Sequence, residues 1–223
     1  MCTFSLFLIV FFLFLCVYLG WKTTLLRDTV NPTLFQAAAL KAGITQENLG
    51  DISPPFSLAR VQLAVWTVII SSSFLYIVFC LSSDANCPPC LKIPINETAL
   101  ILMGISVATT LTGNVIDKSQ MDRPRHQDHP SRGFFIDILS DENGMSIHRF
   151  QNILWTSVAI TIYLNKVACT NCGQCRLPDL DMTLIVLTGI SSASYLGLKI
   201  NENEKPIPAK PSNIERANDP ILP

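Results

Sequence analysis

The sequence predicts an all-α fold: an integral membrane helix bundle of about five transmembrane helices, made of two parallel-repeat helical hairpins and an N-terminal anchor helix. Three observations predict it, namely long runs without a charged residue, an internal repeat, and a bias in the positions of Lys and Arg. The composition agrees, because 49% of the 223 residues are apolar and 15% are charged, a more apolar balance than soluble domains usually have. A net charge of −1 gives no reason to expect a nucleic-acid partner.

Five runs of the sequence contain no Asp, Glu, Lys or Arg. A helix needs roughly 20 mainly apolar residues to cross ~30 Å of hydrocarbon, and the first three runs reach or approach that length. The last two approach it when Lys166 and Lys199 are added, because a long Lys stem lets the ammonium group reach the lipid headgroups. The first run lacks a basic start and a small-residue cleavage site, so we interpret it as a retained anchor and not a signal peptide. The runs are 1–21, 61–83, 98–116, 150–165 and 182–198.

The internal repeat has two blocks. FSLARVQLAVWT at 56–67 shares five identities with MSIHRFQNILWT at 145–156, and residues 96–117 share seven with residues 181–202, centred on Gly-Ile-Ser. The chain is therefore interpreted as a tandem duplication of a two-helix unit. Because two is an even number, both units enter the membrane in the same direction, which makes a parallel repeat with its pseudo-two-fold axis along the membrane normal.

The positions of Lys and Arg predict the orientation. Thirteen of the sixteen lie in 22–60, in 117–149 or from 199 onward, which the helix count places on one side of the membrane. The positive-inside rule puts that side in the cytoplasm, with the N-terminus outside and the C-terminus inside.

The remaining segments complete the predicted organisation. A short helix is expected around 33–42, after the start signal Asn31-Pro32. The polar stretch 118–132 predicts a mobile loop, and GFFIDILSDENG at 133–144 predicts an amphipathic segment that lies on the inner leaflet or docks under the bundle. The predicted parts are the anchor 1–21, the cytoplasmic segment 22–55, the first hairpin 56–117, the cytoplasmic linker 118–144, the second hairpin 145–202 and the disordered cytoplasmic tail 203–223.

Charged residues recur at equivalent positions of the two units. Arg60 and Arg149 lie at the predicted cytoplasmic start of the first helix, and Asp117 and Glu202 lie at the end of the second. One interpretation is that each Arg anchors to acidic headgroups. The alternative is an ion pair between the Arg and a carboxylate, within one unit or across the two.

Two amide side chains and two indoles also recur. Gln62 and Gln151 lie just inside the apolar runs, where an unpaired amide would be costly, so each is expected to form a hydrogen bond with another helix. Trp66 and Trp155 lie about one turn further and suit the interfacial aromatic belt.

Small residues recur four apart in the second helix of each unit. This spacing places them on one stripe, which lets backbones approach closely and predicts helix packing. The neighbouring Ser106 and Ser191 can either line a polar path or bond back to their own helices, the latter being the commoner role of a membrane serine. The stripe residues are Gly104, Ala108 and Thr112 in the first unit and Gly189, Ala193 and Gly197 in the second.

Five cysteines fall in the two predicted outer loops, Cys87 and Cys90 in the first and Cys169, Cys172 and Cys175 in the second. Structural disulfides are expected in an oxidising compartment. Two alternatives stay open: a zinc site built from both loops and a thiol-disulfide exchange site. No other cofactor is predicted.

The patterns PFSLARVQ at 55–62, SIHRFQNILWT at 146–156 and GFFIDILSDENG at 133–144, with the Gly-Ile-Ser blocks, resemble a group of multi-pass bacterial inner-membrane proteins of unknown activity. The resemblance covers about 52–202. It implies an inner-membrane protein and brings no catalytic residues with it.

The functional hypotheses follow from this architecture. No acid, base and nucleophile converge in the sequence, so we expect no catalytic residues. The leading hypothesis is a non-enzymatic membrane scaffold or accessory subunit, with the lipid bilayer, a second copy of the chain and a cytoplasmic protein as partners. The alternatives are an oligomeric channel or small-solute pore, and a thiol-disulfide or metal-dependent protein that uses the loop cysteines.

Overall fold

The computed structural model describes residues 2–79, 96–122, 125–141, 144–170 and 176–201, and it confirms the all-α class. Two short 3-10 turns, Gln46–Gly50 and His126–Asp128, and a two-residue hairpin of β1 (Ser140–Asp141) and β2 (Gly144–Met145) lie among the helices. The helices are α1 (Cys2–Lys22), α2 (Pro32–Lys41), α3 (Leu58–Phe79), α4 (Glu97–Ser119), α5 (Phe134–Leu139), α6 (Ile147–Ala168) and α7 (Met182–Asn201).

Three helices in the described part of the chain are long and apolar enough, by length and composition, to cross a membrane. They are α3, α4 and the stretch Met182–Ile200 of α7. In α1, the stretch Phe7–Lys22 is a shorter apolar helix. The apolar character of α6 is diluted by side chains such as His148, Asn152 and Asn165.

The two helical hairpins pack side by side. α3 packs on α4, α6 packs on α7, and the pairs meet mainly where α4 contacts α7, with a smaller contact between α3 and α6. α1 lies against α3. This packing places α4 and α7 at the centre of the bundle.

The largest apolar cluster lies between α3, α4, α6 and α7. Trp66, Leu102, Ala159, Tyr163 and Ile185 are buried in one cluster, and the rings of Trp66 and Tyr163 meet edge to face with centroids 6.3 Å apart. The prediction that Trp66 belongs to an interfacial belt is therefore wrong, because its side chain is 1% exposed. The burial of its large apolar surface stabilises the contact between the helices.

The segments between α1 and α3 and between α4 and α6, residues 23–57 and 120–146, lie at one end of the bundle; we call their described residues the cap. The predicted short helix is present as α2, and the Asn31 side chain caps it by accepting a hydrogen bond from the Thr33 N–H. An antiparallel bridge joins Arg27 to Phe56. The cap is thus a folded layer and not a set of separate loops.

The predicted amphipathic segment is present as α5, which docks under the bundle. Ile138 is buried in a cluster with Leu58, Ala59 and Tyr195, while Phe135 is 72% exposed. Asp137, which the sequence places on the polar side, is buried as well. A simple amphipathic helix would bury only its apolar side, whereas α5 buries Asp137 as well.

Candidate functional site

The most unusual feature of the fold is a group of five charged side chains that are buried where α4 and α7 meet the cap. We call Asp28, Asp117, Arg125, Asp128 and Lys199 the buried charge cluster; each is at most 9% exposed. Charged side chains are rarely buried unless they are paired, so this cluster is the first candidate for a functional site.

Lys199 is the cation that α7 contributes. Its Nζ donates a hydrogen bond of 3.0 Å to Asp117 Oδ2 on α4, and it lies 4.0 Å from Asp28 Oδ1 in the cap. The expectation that Lys199 extends to the headgroups is wrong, because its side chain is 2% exposed. The ion pair joins the two predicted units, since Lys199 belongs to the second and Asp117 to the first.

Arg125 is the cation that the cap contributes. It lies beside the 3-10 turn His126–Asp128, so that Asp128 can bond back to it: Nη2 lies 3.0 Å from Asp128 Oδ1, and the Arg125 N–H donates to Asp128 Oδ2 at 3.0 Å. Its guanidinium also donates to the carbonyls of Asp117 and Thr29, both at 2.9 Å. One side chain therefore connects α4, the first cap segment and the second cap segment.

The charges of the cluster do not cancel completely, since three carboxylates face two cations. Asp117 Oδ1 lies 3.6 Å from Arg125 Nη1 and accepts no hydrogen bond from a described residue. A buried ion pair carries a large desolvation cost, and removing one partner costs roughly 3–5 kcal/mol because the other charge is left buried. The cluster is therefore suited to holding one arrangement of the cap.

The stretch 118–132, predicted to be a mobile loop, provides part of this site. Arg125, Gln127 and Asp128 are each at most 3% exposed. The prediction of mobility is wrong for these residues, because polar composition alone does not show that the polar groups pair with each other.

The two repeated arginines have different environments. Arg149 is buried, with its guanidinium 5.4 Å from the centroid of the Tyr195 ring, so it does not reach lipid headgroups as one interpretation expected. Arg60 is half-buried, and its Nη2 donates to Thr29 Oγ1 at 2.8 Å and Asn114 Oδ1 at 2.9 Å. Asp117 pairs with Lys199 and Arg125 instead of Arg60, and Glu202 lies outside the described residues.

The two repeated glutamines also differ. Gln62 on α3 is buried, and its Nε2 donates to Asn152 Oδ1 at 2.9 Å and Thr156 Oγ1 at 2.8 Å on α6. Gln151 is exposed, which corrects the expectation that it bonds to another helix, and its neighbour Asn152 takes the buried position. This network joins the two hairpins inside the bundle.

The small-residue stripes do not form the contact between α4 and α7. Gly104, Ala108, Thr112, Ala193 and Gly197 are exposed. Gly189 alone among the six approaches that contact, since a Cβ built on it would lie 3.6 Å from Ile105 Cδ1. Apart from Gly189, the stripe residues therefore do not pack α4 on α7, and packing of the stripes against a second copy of the chain stays a prediction.

Buried hydroxyls line the α4–α7 contact in place of the stripes. Thr109 and Thr188 donate back to carbonyls of their own helices, at 2.7 and 2.8 Å. The Ser191 hydroxyl is buried and has no hydrogen-bond partner among the described residues. The buried hydroxyl residues here are Ser106, Thr109, Thr188, Ser191 and Ser192.

The cysteine predictions fall largely on residues that are not described. Cys87, Cys90, Cys172 and Cys175 lie outside the described ranges. Cys169 follows α6, is exposed, and its Sγ donates to Asn165 Oδ1 at 3.7 Å. Disulfides and a zinc site at these positions stay predictions.

Two further contacts hold the cap together beside the start of α3. Asp137 accepts hydrogen bonds from the N–H groups of Phe56 and Arg132, at 3.2 and 2.9 Å, and from the Ser131 hydroxyl. The Arg27 guanidinium lies 4.3 Å from the centroid of the Phe56 ring, and burial lowers the pKa of Arg27 from its usual value while Asp137 opposes that shift.

Asp28, Arg125, Asp128 and Asn152 belong to buried networks that the sequence did not predict. One signal was available in the sequence: a Lys and an Asp lie inside the ends of two apolar helices. A charged residue in that position of a membrane protein is by default a functional-site hypothesis.

Comparisons with family models, with curated proteins and with solved structures find no match to this chain.

Proposed function

We propose that this chain is a non-enzymatic membrane scaffold or accessory subunit that holds a rigid cytoplasmic cap on a bundle of five transmembrane helices. The observation that carries the proposal is the buried charge cluster, in which Asp117 and Lys199 near the ends of two apolar helices pair with Asp28 and Arg125 of the cap. A cap held by several buried charges has a fixed shape, which is what a surface for a partner protein requires.

The surface of the cap supports a partner-binding role. Phe135 and Ile136 on α5, Met145 on β2 and Ile147 at the start of α6 are 49 to 78% exposed. Phe135 and Ile136 are adjacent in α5, while Met145 lies in β2, whose pairing with β1 joins Ser140 to Met145, and Ile147 comes shortly after it. Exposed apolar side chains on an otherwise folded layer mark a site of protein or membrane contact.

The packing of α6 supports counting it among the five spans. Its polar residues Asn152 and Thr156 face the interior, while Phe150, Leu154 and Leu164 are exposed. Exposed Phe and Leu side chains on a helix of 22 residues are compatible with contact to lipid, although Gln151, Ser157 and Thr161 are exposed as well. With α1 as the fifth span, the bias of Lys and Arg favours a cytoplasmic position for the cap, and the resemblance to multi-pass bacterial proteins is the ground for proposing the inner membrane.

Site-specific photocrosslinking in cells tests the scaffold proposal. A photoreactive phenylalanine analogue at Phe135 or Met145 should give one discrete protein adduct at both positions, and the same analogue at exposed Glu47 in the 3-10 turn serves as the matched control. Lys199→Met, which disturbs the cluster without touching the surface, should reduce the adduct. Identical adduct patterns at Phe135, Met145 and Glu47, or lipid adducts alone, would contradict the proposal.

A channel is the second candidate, and the buried hydroxyl of Ser191 favours it because an unpartnered donor inside a bundle is a site for water or a permeating solute. Ion and glycerol flux into liposomes should then fall for Ser191→Ala but not for Ser157→Ala, whose hydroxyl bonds to its own helix on an exposed face. Wild-type flux equal to that of empty liposomes would exclude the channel.

A further inference from the structure

A long apolar groove separates α1 from α3 on one side of the contact between them. It has a volume of about 700 Å³ and its lining is almost entirely apolar, with Leu15 and Leu19 from α1 and Leu63 and Val68 from α3. The groove follows α3 from Arg60 to Ser72, which is roughly 18 Å at 1.5 Å per residue. One leaflet of a bilayer has a hydrocarbon depth of roughly 15 Å. The length of the groove is therefore similar to the depth of membrane that one acyl chain spans.

Arg60 lies at the cap end of this groove. Its guanidinium is placed by Thr29 Oγ1 and Asn114 Oδ1, and more weakly by the Thr24 carbonyl at 3.5 Å. None of the ion pairs among the described residues includes Arg60. The contacts that place it are neutral acceptors on Nη1 and Nη2, so the cation is oriented without being neutralised.

The second unit shows that a helix of this kind can begin without an accessible arginine. Arg149 aligns with Arg60, yet it is buried and its guanidinium lies over the Tyr195 ring. No apolar helix equivalent to α1 is packed on α6 in the described part of the chain. The accessible cation and the groove therefore occur together on the first unit.

We propose that this groove binds one anionic glycerophospholipid, with its phosphate on the Arg60 guanidinium and one acyl chain between α1 and α3. The argument is charge complementarity: an oriented arginine without a carboxylate partner in the described chain is a fixed cation that attracts a phosphate, and its Nη2 hydrogens are already used by Thr29 and Asn114, so the contact with the phosphate is not bidentate. The apolar lining below it matches the acyl chain. The site touches the buried charge cluster through Thr29, whose hydroxyl accepts from Arg60 and whose carbonyl accepts from Arg125, but it does not depend on the scaffold role.

Native mass spectrometry of the purified full chain, titrated with phosphatidylglycerol or phosphatidylcholine, tests this site. The wild type should retain one phosphatidylglycerol in preference to phosphatidylcholine, and Arg60→Gln should weaken that binding by about tenfold, as expected for the loss of one charge-assisted contact. Arg132→Gln removes a charge from an exposed cap residue and should leave the binding unchanged. Arg60→Lys should retain most of it.

Ser71→Phe provides a second variant in case Arg60→Gln does not fold. Ser71 lines the groove and is exposed, so a phenyl ring there should fill the space for the acyl chain and lower phosphatidylglycerol occupancy while Arg60 stays intact. Equal loss in Arg60→Gln and Arg132→Gln would show diffuse charge attraction and overturn the proposal. Equal affinity for the two lipids, or a Ser71→Phe variant that loses self-association instead of lipid, would overturn it as well.

Discussion

Lys199 on α7 and Asp117 on α4 form a buried ion pair, with Nζ 3.0 Å from Oδ2, at the point where the two hairpins meet the cap. The two side chains come from different predicted units and are 82 positions apart in the chain. The pair therefore fixes the hairpins to each other and, through Asp28 and Arg125, fixes both to the cap.

Removing one member of this pair should destabilise the protein strongly. Lys199→Met leaves the Asp117 carboxylate buried with one cation fewer, and we expect a loss of about 3–5 kcal/mol in the free energy of unfolding. The double variant Lys199→Met/Asp117→Leu should lose less than the sum of the single variants, because neither charge is then left alone. Unfolding in detergent, with exposed Lys118→Met as the control, measures this. A Lys199→Met variant as stable as Lys118→Met would show that the pair contributes little.

The Gln62 network predicts an asymmetry between two glutamines at equivalent positions of the repeat. Gln62→Leu should cost about 1–2 kcal/mol, because Asn152 and Thr156 on α6 lose their partner inside the bundle. Gln151→Leu should change stability by less than about 0.5 kcal/mol, since Gln151 is exposed. The measurement is the unfolding of both variants in one detergent. Equal effects would mean that position in the repeat, and not burial, determines how much each glutamine stabilises the protein.

The sequence predicts elements better than it predicts their faces, and Gln151 shows why. Asn152 follows Gln151, and neighbouring residues on a helix point about 100° apart, so either amide can face the interior. Only the position of α3, from which Gln62 donates to Asn152, decides between them. Alignment with the first unit favours Gln151, but the second unit packs through the other residue.

The sequence does not predict the buried charge cluster, for a related reason. Asp117 and Lys199 are visible as charges near the ends of apolar helices, where extension of the side chain into the headgroups is the ordinary expectation. Their burial depends on Arg125 and Asp128, which lie in a polar stretch whose composition predicts mobility. The pairing is a tertiary contact, so no local pattern shows it.

The carboxylate of Asp137 should control how firmly the two cap segments are held to each other. It accepts hydrogen bonds from the Phe56 and Arg132 N–H groups and the Ser131 hydroxyl, so Asp137→Ala leaves part-buried donors without this acceptor. We expect faster amide hydrogen exchange in 130–139 with little change in α3 beyond its first turn. Asp122→Ala, at an exposed cap position, is the control. Unchanged exchange in Asp137→Ala would show that Ile138 alone holds α5 in place.

The start of α7 should weaken in acid, and Asp181 is the group responsible. Hydrogen bonds from the Thr183 hydroxyl and N–H lower the pKa of the exposed Asp181 carboxyl below its usual value of about 3.9. Because the folded-state pKa is the lower one, the stabilisation is present above the unfolded-state pKa and is lost as pH falls through the folded-state pKa. In Asp181→Asn the side chain can still accept from the Thr183 N–H but does not titrate, so the difference in melting temperature between wild type and this variant should shrink or reverse from about pH 5 to pH 3. A difference that stays constant over this range would show that the Asp181 charge has no role at this helix start.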